Sequence, residues 1–306
     1  MRRNLLAIDA GQTEVKVRFS GQDLAFPGVR ADLDLLGQVA EIVMQVKRQV
    51  DCPDELAVGA AALPRATAQD AEVLLQLCWS AGVRRVWLTP DSVTSYLGAV
   101  GREYGVVVAV GTGAVTLGVG ASALARVDGW GHLMGDAGSG HWIGREALDA
   151  ALRALDGRGP ATALSEVVDR LFPRLDEAYV HLLSHPDRVR LVASLARDVA
   201  AAAPSDPVAT AILQRAGEEI AHSAATAVER IGHAHHRNPL ICLIGGVVRE
   251  GPVRTACVAA LRAQWPGYIP FVPRGDALSG TAQLHRIPSD HPLAAHVAVA
   301  GTVLRA

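Results

Sequence analysis

Two glycine turns, each set between a pair of apolar strands, constrain this chain more than any other feature. The first is GQT at residues 11–13, between LLAIDA and EVKV, and the second is GTG at residues 111–113, between VVVAV and AVTLGV. Each turn puts small residues and a threonine where backbone N–H groups can converge on an anion. Since the turns are about 100 residues apart, they predict two similar half-molecules that hold a polyphosphate between them.

Composition excludes several classes of protein. The 306 residues are enough for two domains, half of them are hydrophobic, and only a fifth are charged, which argues against disorder. The net charge of −2 gives no support for nucleic-acid binding, and no apolar stretch approaches the roughly 20 residues that span a bilayer. We therefore expect a soluble protein with no nucleic-acid or membrane partner.

Cysteine usage and the first residues predict a reducing, cytoplasmic setting. No CxxC pair occurs among the four cysteines, which are Cys52, Cys78, Cys242 and Cys257. Two arginines precede the first apolar run, but Asp9 ends that run after four residues, so no signal peptide is expected.

Strands alternate with helices along the whole chain, which predicts an α/β fold. The preferred domain boundary lies just before Gly105, giving domains 1–104 and 105–306, with a helical insertion in the second and the last helix free to return to the first. The opening strands alternate poorly, which predicts burial on both faces. Further predictions are a long amphipathic helix over 207–231, a short strand over 268–272, and a tail at 293–304 that is helix or strand.

Two aspartates stand where strands end. Asp9 could hold Mg²⁺ through water, because hard cations prefer oxygen ligands, while Gly11 would permit a positive φ. Asp91, at the start of a helix, could accept a proton from a sugar hydroxyl as that oxygen attacks phosphorus. A plain hairpin turn is the structural alternative for the first motif, and an ordinary N-cap is the alternative for Asp91.

The most specific string is GWGHLMGDAGSG at residues 129–140. Ordering so many glycines costs backbone conformational entropy on folding, and a purely structural loop seldom needs them. Asp136 can accept hydrogen bonds from vicinal sugar hydroxyls, and the backbone around Trp130 can lie against the ring. A glycine loop packed under a domain interface is the structural alternative. Further on, LIGGV at residues 243–247 is preceded by a buried strand, and its glycines leave room for a flat base such as adenine.

The ordered set DAGQT, PDS, GTG, GWGHLMGDAGSGHWIG and LIGGV resembles the N-acetylglucosamine kinases and the wider BadF/BadG/BcrA/BcrD ATPase family. The resemblance extends from residue 5 to about 285. It implies two actin-like (ribonuclease H-like) domains with a nucleotide cleft between them, and ATP with Mg²⁺ as cofactors. Kinase activity, a small-molecule sugar substrate and a homodimer are also compatible with the family.

The resemblance also implies roles for individual residues. Asp91 matches the catalytic aspartate, and Asp9 would hold Mg²⁺ through water. The residues implied for the sugar are Asp32, Asp91, Gly129, Trp130, Gly131 and Asp136. Those implied for the nucleotide are Gly11, Gln12, Thr13, Gly111, Thr112, Gly113, Ala216, Gly245 and Gly246.

Two positions depart from the family pattern. Ala137 stands where the family usually has a glutamate after the loop aspartate. Asp32 stands five residues before Gly37, where the family has an asparagine that touches the sugar. Because an ionised aspartate accepts but does not donate hydrogen bonds, a free amine suits Asp32 better than an acetamide, which favours glucosamine.

The main hypothesis is therefore ATP-dependent phosphorylation of N-acetylglucosamine or glucosamine at the C6 hydroxyl. One alternative is a BadF-type ATPase that activates a partner enzyme and holds an iron–sulfur cluster through cysteines at a dimer interface. A non-catalytic sugar sensor is another, kept open by Ala137 and Asp32. The last is a metal site at His233, His235 and His236, for which a solvated helix end is the simpler explanation.

Overall fold

The computed structural model describes residues 5–49, 53–172 and 174–301. These residues form two compact units. The first contains the described residues within Met1–Tyr104, Val119–Leu124 and Val272–Ala306, and the second those within Gly105–Gly118 and Ala125–Phe271. The carboxyl-terminal residues thus pack with the first unit from position 272 onward. The sequence-based division allowed only the last helix to return to the first domain.

The first unit is built on a six-stranded sheet of order β10-β5-β4-β1-β2-β3. Its strands are β1 Leu5–Ala10, β2 Glu14–Phe19, β3 Gln22–Pro27, β4 Glu55–Ala60, β5 Arg85–Pro90 and β10 Ala298–Gly301. Its helices are α1 Leu35–Lys47, α2 Ala68–Cys78, α3 Asp91–Val100 and α10 Ala277–Thr281. The third strand and the final strand complete the sheet on its two edges.

Strand register brings the two predicted aspartates together at the carboxyl ends of the parallel strands. β1, β4 and β5 run parallel, with Asp9 opposite Gly59 and Gly59 opposite Thr89. Asp91 follows Thr89 by two residues as the first residue of α3. The carboxyl ends of parallel strands are where α/β proteins place their ligands.

Burial along β2 corrects one prediction. Its residues alternate, with Glu14 and Lys16 exposed and Val15, Val17 and Phe19 buried. One face of the strand therefore packs on the core and the other meets solvent, which is the pattern of an antiparallel strand between β1 and β3. The prediction of burial on both faces is wrong for this strand.

Helix α10 is held against α3 by backbone contacts that only small residues permit. A Cβ atom added to Gly98 of α3 would lie 1.9 Å from the carbonyl oxygen of Asp276, and one added to Gly280 of α10 would lie 1.9 Å from that of Thr94. β10 then pairs antiparallel with β5. These contacts explain why the carboxyl-terminal residues belong to the first unit.

We expect Gly98→Ala to destabilise the protein by about 3 kcal/mol, the upper part of the usual range for overpacking, because the added methyl meets rigid backbone. Urea unfolding measures the loss. Ser95→Ala on the same helix is the control and should change stability by less than about 0.5 kcal/mol. Equal stability of the two variants would contradict the close packing of α3 on α10.

The second unit is built on a four-stranded sheet of order β8-β7-β6-β9. Its strands are β6 Gly105–Val110, β7 Ala114–Val119, β8 Leu124–Val127 and β9 Ile241–Ile244. Its helices are α4 Gly140–Asp156, α5 Leu164–Asp169, α6 Ala178–Ser184, α7 Arg188–Ala202, α8 Pro207–Arg230 and α9 Pro252–Gln264. β6 and β9 pair in parallel.

Helix α8 forms much of the core of the second unit, close to the predicted bounds. The Asp206 carboxylate caps it by accepting from the backbone N–H groups of Val208 (2.7 Å) and Ala209 (3.3 Å). The same carboxylate accepts from the Thr162 hydroxyl and the Ala163 N–H. These donors lower the pKa of Asp206 although burial opposes them. The cap therefore ties the start of α8 to the segment that leads into α5.

The last third of the chain contains the strand predicted over 268–272 and the tail whose structure was left open. Residues 268–272 do not form a strand, since their backbone pairing with the sheet is an isolated bridge between Phe271 and Cys242. The ambiguous tail contains a 3₁₀ turn at Pro292–His296 and then β10, while residues 302–304 lie outside the described residues. No helix of the described ranges is long and apolar enough to cross a bilayer.

Candidate functional site

The Asp9 carboxyl group interacts with two other carboxylates of the first unit. The pKa of Asp9 is raised from 3.8 to about 7, chiefly by burial and then by the charges of Asp91 and Asp276, with Lys16 opposing them. Asp9 and Asp91 are therefore close enough to interact, as the strand register requires. This pair is the part of the predicted catalytic site that the first unit brings together.

Sequence reasoning missed Asp276, the third carboxylate of this group. Its side chain caps α10, accepting from the Ser279 N–H at 2.9 Å and the Ser279 hydroxyl at 2.6 Å. These bonds lower its pKa although burial opposes them. The sequence carried one signal, an aspartate three residues before a serine at a helix start, but nothing that placed it near Asp9.

The predicted phosphate turn at 11–13 follows β1 and is exposed at Gln12 and Thr13. Gly11 does not adopt the positive φ that the sequence suggested. Its role is steric, since an added Cβ would lie 2.7 Å from the carbonyl oxygen of Glu14. The turn thus presents accessible backbone and a threonine hydroxyl beside the Asp9 strand.

Asp32 has a strong partner of its own. Its two carboxylate oxygens accept from the Arg30 guanidinium at 3.1 and 2.7 Å, in an exposed bidentate pair. The side-chain amide of Gln38 in turn hydrogen-bonds the Arg30 backbone. Because Arg30 neutralises the carboxylate, the argument that Asp32 favours a free amine on the sugar is weakened.

In the second unit, the turn at 111–113 packs on the start of α4. The Gly111 N–H donates to the Gly113 carbonyl, while the N–H groups of Gly140 and His141 donate to the carbonyls of Gly111 and Thr112 at 2.9 and 3.0 Å. The first N–H groups of α4 are therefore used to hold this turn. Neither glycine of the turn has a positive φ.

Asp136 lies directly against this turn. A Cβ added to Gly113 would be 2.6 Å from its Oδ2 atom. Asp136 is 8% exposed, and its carboxylate accepts from the N–H groups of Gly131 and Ala114. Burial raises its pKa, and the charge of Asp128 adds to the effect. The structure thus places Asp136, the predicted sugar-binding residue, against the predicted phosphate turn within one unit.

The first part of the glycine loop is largely open to solvent, whereas its last residues, 138–140, are buried. Trp130 is 61% exposed, and the Arg126 guanidinium lies 5.3 Å from the centre of its ring. Gly129 and Gly131 have φ values of +77° and +83°, which favour glycine. Backbone and indole are therefore accessible where the sequence predicts a sugar contact.

The residues predicted for the adenosine side divide into two groups. Gly245 and Gly246 are exposed, and Gly245 (φ +101°) lies against Val110, whose carbonyl oxygen would be 2.2 Å from an added Cβ. They therefore stand beside the turn at 111–113. Ala216 is fully buried in the core of the second unit. It offers no surface to a base, which corrects its assignment as an adenine contact.

The cysteine and histidine alternatives find little support. The three cysteines in the described ranges, Cys78, Cys242 and Cys257, are free and fully buried, and burial raises their thiol pKa values to about 11 or 12; Cys52 lies outside those ranges. His233 and His236 stack on each other, with ring centres 4.6 Å apart. Within the described residues, no group of three or more His, Cys, Asp or Glu side chains is placed to hold a metal ion.

A comparison with known families decides the membership of the chain. The sequence profile of the BadF/BadG/BcrA/BcrD ATPase family matches residues 88–278, well over half of the chain. The chain belongs to the BadF/BadG/BcrA/BcrD ATPase family. The predicted resemblance is thereby confirmed, and this family member carries the glycine loop, the turn at 111–113 and Asp91 within the matched residues.

Two curated relatives are amino-sugar kinases by name. An N-acetylmuramic acid/N-acetylglucosamine kinase from Clostridium acetobutylicum is 29% identical over 200 residues, covering 64% of each chain. An N-acetyl-D-glucosamine kinase from Dictyostelium discoideum is 43% identical over 72 residues, covering 23% of each. The family member therefore spans less than two thirds of the length of either relative.

Solved structures of similar fold confirm the predicted α/β class. A provisionally assigned N-acetylglucosamine kinase from Chromobacterium violaceum has a TM-score of 0.69 at 22% identity, covering 90% of this chain and 96% of that one. A protein with the same provisional assignment from Porphyromonas gingivalis has a TM-score of 0.72 at 16% identity, covering 92% and 98%. A ROK family glucokinase from Streptomyces griseus, solved with glucose and AMPPNP, has a TM-score of 0.54 at 16% identity, covering 92% and 98%. At these identities the likeness is one of fold.

Proposed function

We propose that this protein transfers the γ-phosphoryl group of ATP to the C6 hydroxyl of an amino sugar. The observation that carries the proposal is the contact between Asp136 and the GTG turn at Gly113. A carboxylate suited to sugar hydroxyls and a turn suited to phosphate lie side by side in one unit, as transfer between those two groups requires.

Asp91 is the proposed general base. It stands at the first position of α3, where the positive end of the helix dipole favours an ionised carboxylate. In the reaction, Asp91 would accept the proton of the C6 hydroxyl while that oxygen attacks the γ-phosphorus and the bond to ADP breaks. The Thr94 hydroxyl donates to the Asp91 carbonyl at 2.9 Å and so stiffens this first turn.

The Asp9 group fits a magnesium ion held through water. A cation near Asp9 would offset the mutual repulsion with Asp91 and Asp276 that raises its pKa. An ion held in this way would keep most of its waters and take the ATP oxygens as ligands. When bound, Mg²⁺ would neutralise charge on the transferring phosphoryl group.

Nucleotide binding is proposed for the exposed turn at 11–13, the partly exposed turn at 111–113 and the paired glycines. The residues concerned are Gly11, Gln12, Thr13, Gly111, Thr112, Gly113, Gly245 and Gly246. Support comes from the exposure of the turn at 11–13 and from the position of Gly245 beside Val110. The nucleotide cleft between two domains, the cytoplasmic setting and a homodimer stay predictions.

N-acetylglucosamine is the substrate we propose first. Both curated relatives carry that sugar in their names, and the Arg30 guanidinium occupies the carboxylate of Asp32 that would otherwise attract a free amine. Glucosamine is second. Gly129, Trp130, Gly131 and Asp136 would contact the ring.

We expect ATP- and Mg²⁺-dependent release of ADP with N-acetylglucosamine and a lower rate with glucosamine, N-acetylmannosamine, N-acetylmuramic acid or glucose. The 6-deoxy analogue of N-acetylglucosamine should yield no phosphorylated product and should inhibit competitively, because it lacks only the proposed acceptor oxygen. Coupled ADP detection and mass spectrometry of the sugar give both results. Phosphorylation of the 6-deoxy analogue would overturn the C6 assignment, and sugar binding without ADP release would favour the sugar-sensor alternative.

A further inference from the structure

Asp128 is the best-connected side chain of the glycine loop, although no sequence motif drew attention to it. Its Oδ1 atom accepts from the N–H groups of Gly129 at 2.7 Å and Asp136 at 2.8 Å, and its Oδ2 atom accepts from the N–H of Ala137 at 2.9 Å. One carboxylate therefore joins the first residues of the loop to residues eight and nine positions later.

The backbone at both ends of this link is unusual. Asp128 has a φ of +56° and Asp136 a φ of +59°, in the left-handed region that non-glycine residues seldom adopt. Such conformations cost energy and persist where surrounding bonds enforce them. Here the enforcing bonds come from Asp128 itself, since its Oδ1 atom holds the Asp136 N–H.

The Asp128 carboxylate packs closely against the neighbouring residues of the loop. A Cβ added to Gly135 would lie 2.3 Å from the Oδ1 atom of Asp128. Ala137, where the family resemblance predicts a glutamate, has its N–H engaged by the Oδ2 atom. The segment that departs from the family pattern is therefore the segment that Asp128 holds.

We propose that Asp128 is a positioning residue for sugar binding, which fixes the backbone of residues 129–137 so that Asp136 faces the turn at Gly113. This inference rests on the proposed function for its effect on substrate. Asp128 touches no substrate in this scheme. Its contribution is to make the loop rigid before the sugar arrives, which lowers the entropic cost of binding.

Two substitutions separate the carboxylate from the backbone strain. Asp128→Gly tolerates the positive φ but removes both acceptor oxygens, whereas Asp128→Asn keeps one oxygen for Gly129 and Asp136 and places a donor toward the Ala137 N–H. Asp149→Asn is the matched control, because Asp149 is exposed on α4 and pairs with Arg153 outside the loop.

The first measurement is hydrogen exchange of the Gly129, Asp136 and Ala137 amides, which needs no activity. We expect exchange about 10-fold faster or more in Asp128→Gly, an intermediate effect in Asp128→Asn, and no change in the control, with core amides unaffected. Unchanged exchange at these three amides in the glycine variant would overturn the proposal. Should that variant fail to fold, the asparagine variant decides, with faster exchange at Ala137 as the supporting result and unchanged exchange as the contrary one.

The second measurement separates positioning from general destabilisation. We expect the KM for the sugar to rise about 10- to 100-fold in Asp128→Gly, while kcat and the KM for ATP change by less than about 3-fold. Equal losses for both substrates would overturn the positioning role. If the unmodified protein phosphorylates no sugar, the proposed function fails, and hydrogen exchange still judges whether Asp128 holds the loop.

Discussion

Asp91→Asn is expected to lower kcat for sugar phosphorylation by about 10²- to 10⁴-fold, the usual contribution of a general base. The amide has the size and shape of the carboxylate but cannot take a proton at neutral pH. Since only proton transfer is removed, ATP affinity should stay within about 3-fold of the unmodified protein. Steady-state kinetics and nucleotide titration give the two values.

The electrostatics of the first unit supply an independent check on the same variant. The charge of Asp91 raises the pKa of Asp9. Removing that charge should lower the pKa of Asp9, so an inactive Asp91→Asn protein should remain folded and be no less stable at alkaline pH. Loss of activity through unfolding would instead lower stability at every pH.

Asp290→Asn is the matched control, since Asp290 is an exposed aspartate of the first unit outside the proposed site. It should retain full activity. Turnover of Asp91→Asn at the rate of this control would rule out Asp91 as the base, whatever the identity of the sugar.

Local sequence signals located most of the strands and helices because those elements depend on short-range patterns. Pro207 after an aspartate, followed by an amphipathic run, was enough to predict α8. The final strand was not decided from sequence, because Ala298–Gly301 becomes a strand only through its pairing with β5, more than 200 residues earlier. Such long-range pairing leaves little trace in a four-residue segment.

The candidate site follows the same division. Asp9 and Asp91 could be predicted because Asp9 lies near the end of β1 and Asp91 directly follows β5, and the parallel register then brings them together. Asp128 and Asp276 could not, since their importance lies in what they contact after folding. Asp128 did carry a weak signal, an Asp-Gly pair typical of left-handed turns.

Two predicted residues show how a correct motif can carry a wrong reason. Gly11 was predicted to adopt a positive φ, but it does not. A glycine is needed there because the backbone lies close to the Glu14 carbonyl. Ala216 was placed near adenine by resemblance, but helix periodicity turns its side chain into the core of the second unit. Sequence position alone does not tell which face of α8 a residue occupies.

Asp9→Asn is expected to make the protein more stable above pH 7 and to leave its stability unchanged near pH 4. The pKa of Asp9 is about 7 in the folded protein and 3.8 in the unfolded chain, so the folded state keeps a proton that the unfolded state loses. The stability contributed by this proton is fully present below pH 3.8 and is lost as pH rises toward 7. Three pKa units correspond to about 4 kcal/mol, an upper bound because Asp9 is not fully buried.

The free energy of unfolding, measured with urea in the presence of a chelator, should therefore diverge between the two proteins across that pH range. Asp290→Asn controls for the general effect of replacing an aspartate by asparagine, and the contribution of the other titrating groups cancels between the unmodified protein and Asp9→Asn. Adding Mg²⁺ at pH 8 should stabilise the unmodified protein more than Asp9→Asn, because the ionised Asp9 carboxylate attracts the cation and the amide does not. An Asp9→Asn variant that is less stable than the unmodified protein at pH 8 would contradict this account. It would mean that burial and the neighbouring carboxylates do not destabilise the ionised Asp9, and both its raised pKa and its proposed affinity for magnesium depend on that effect.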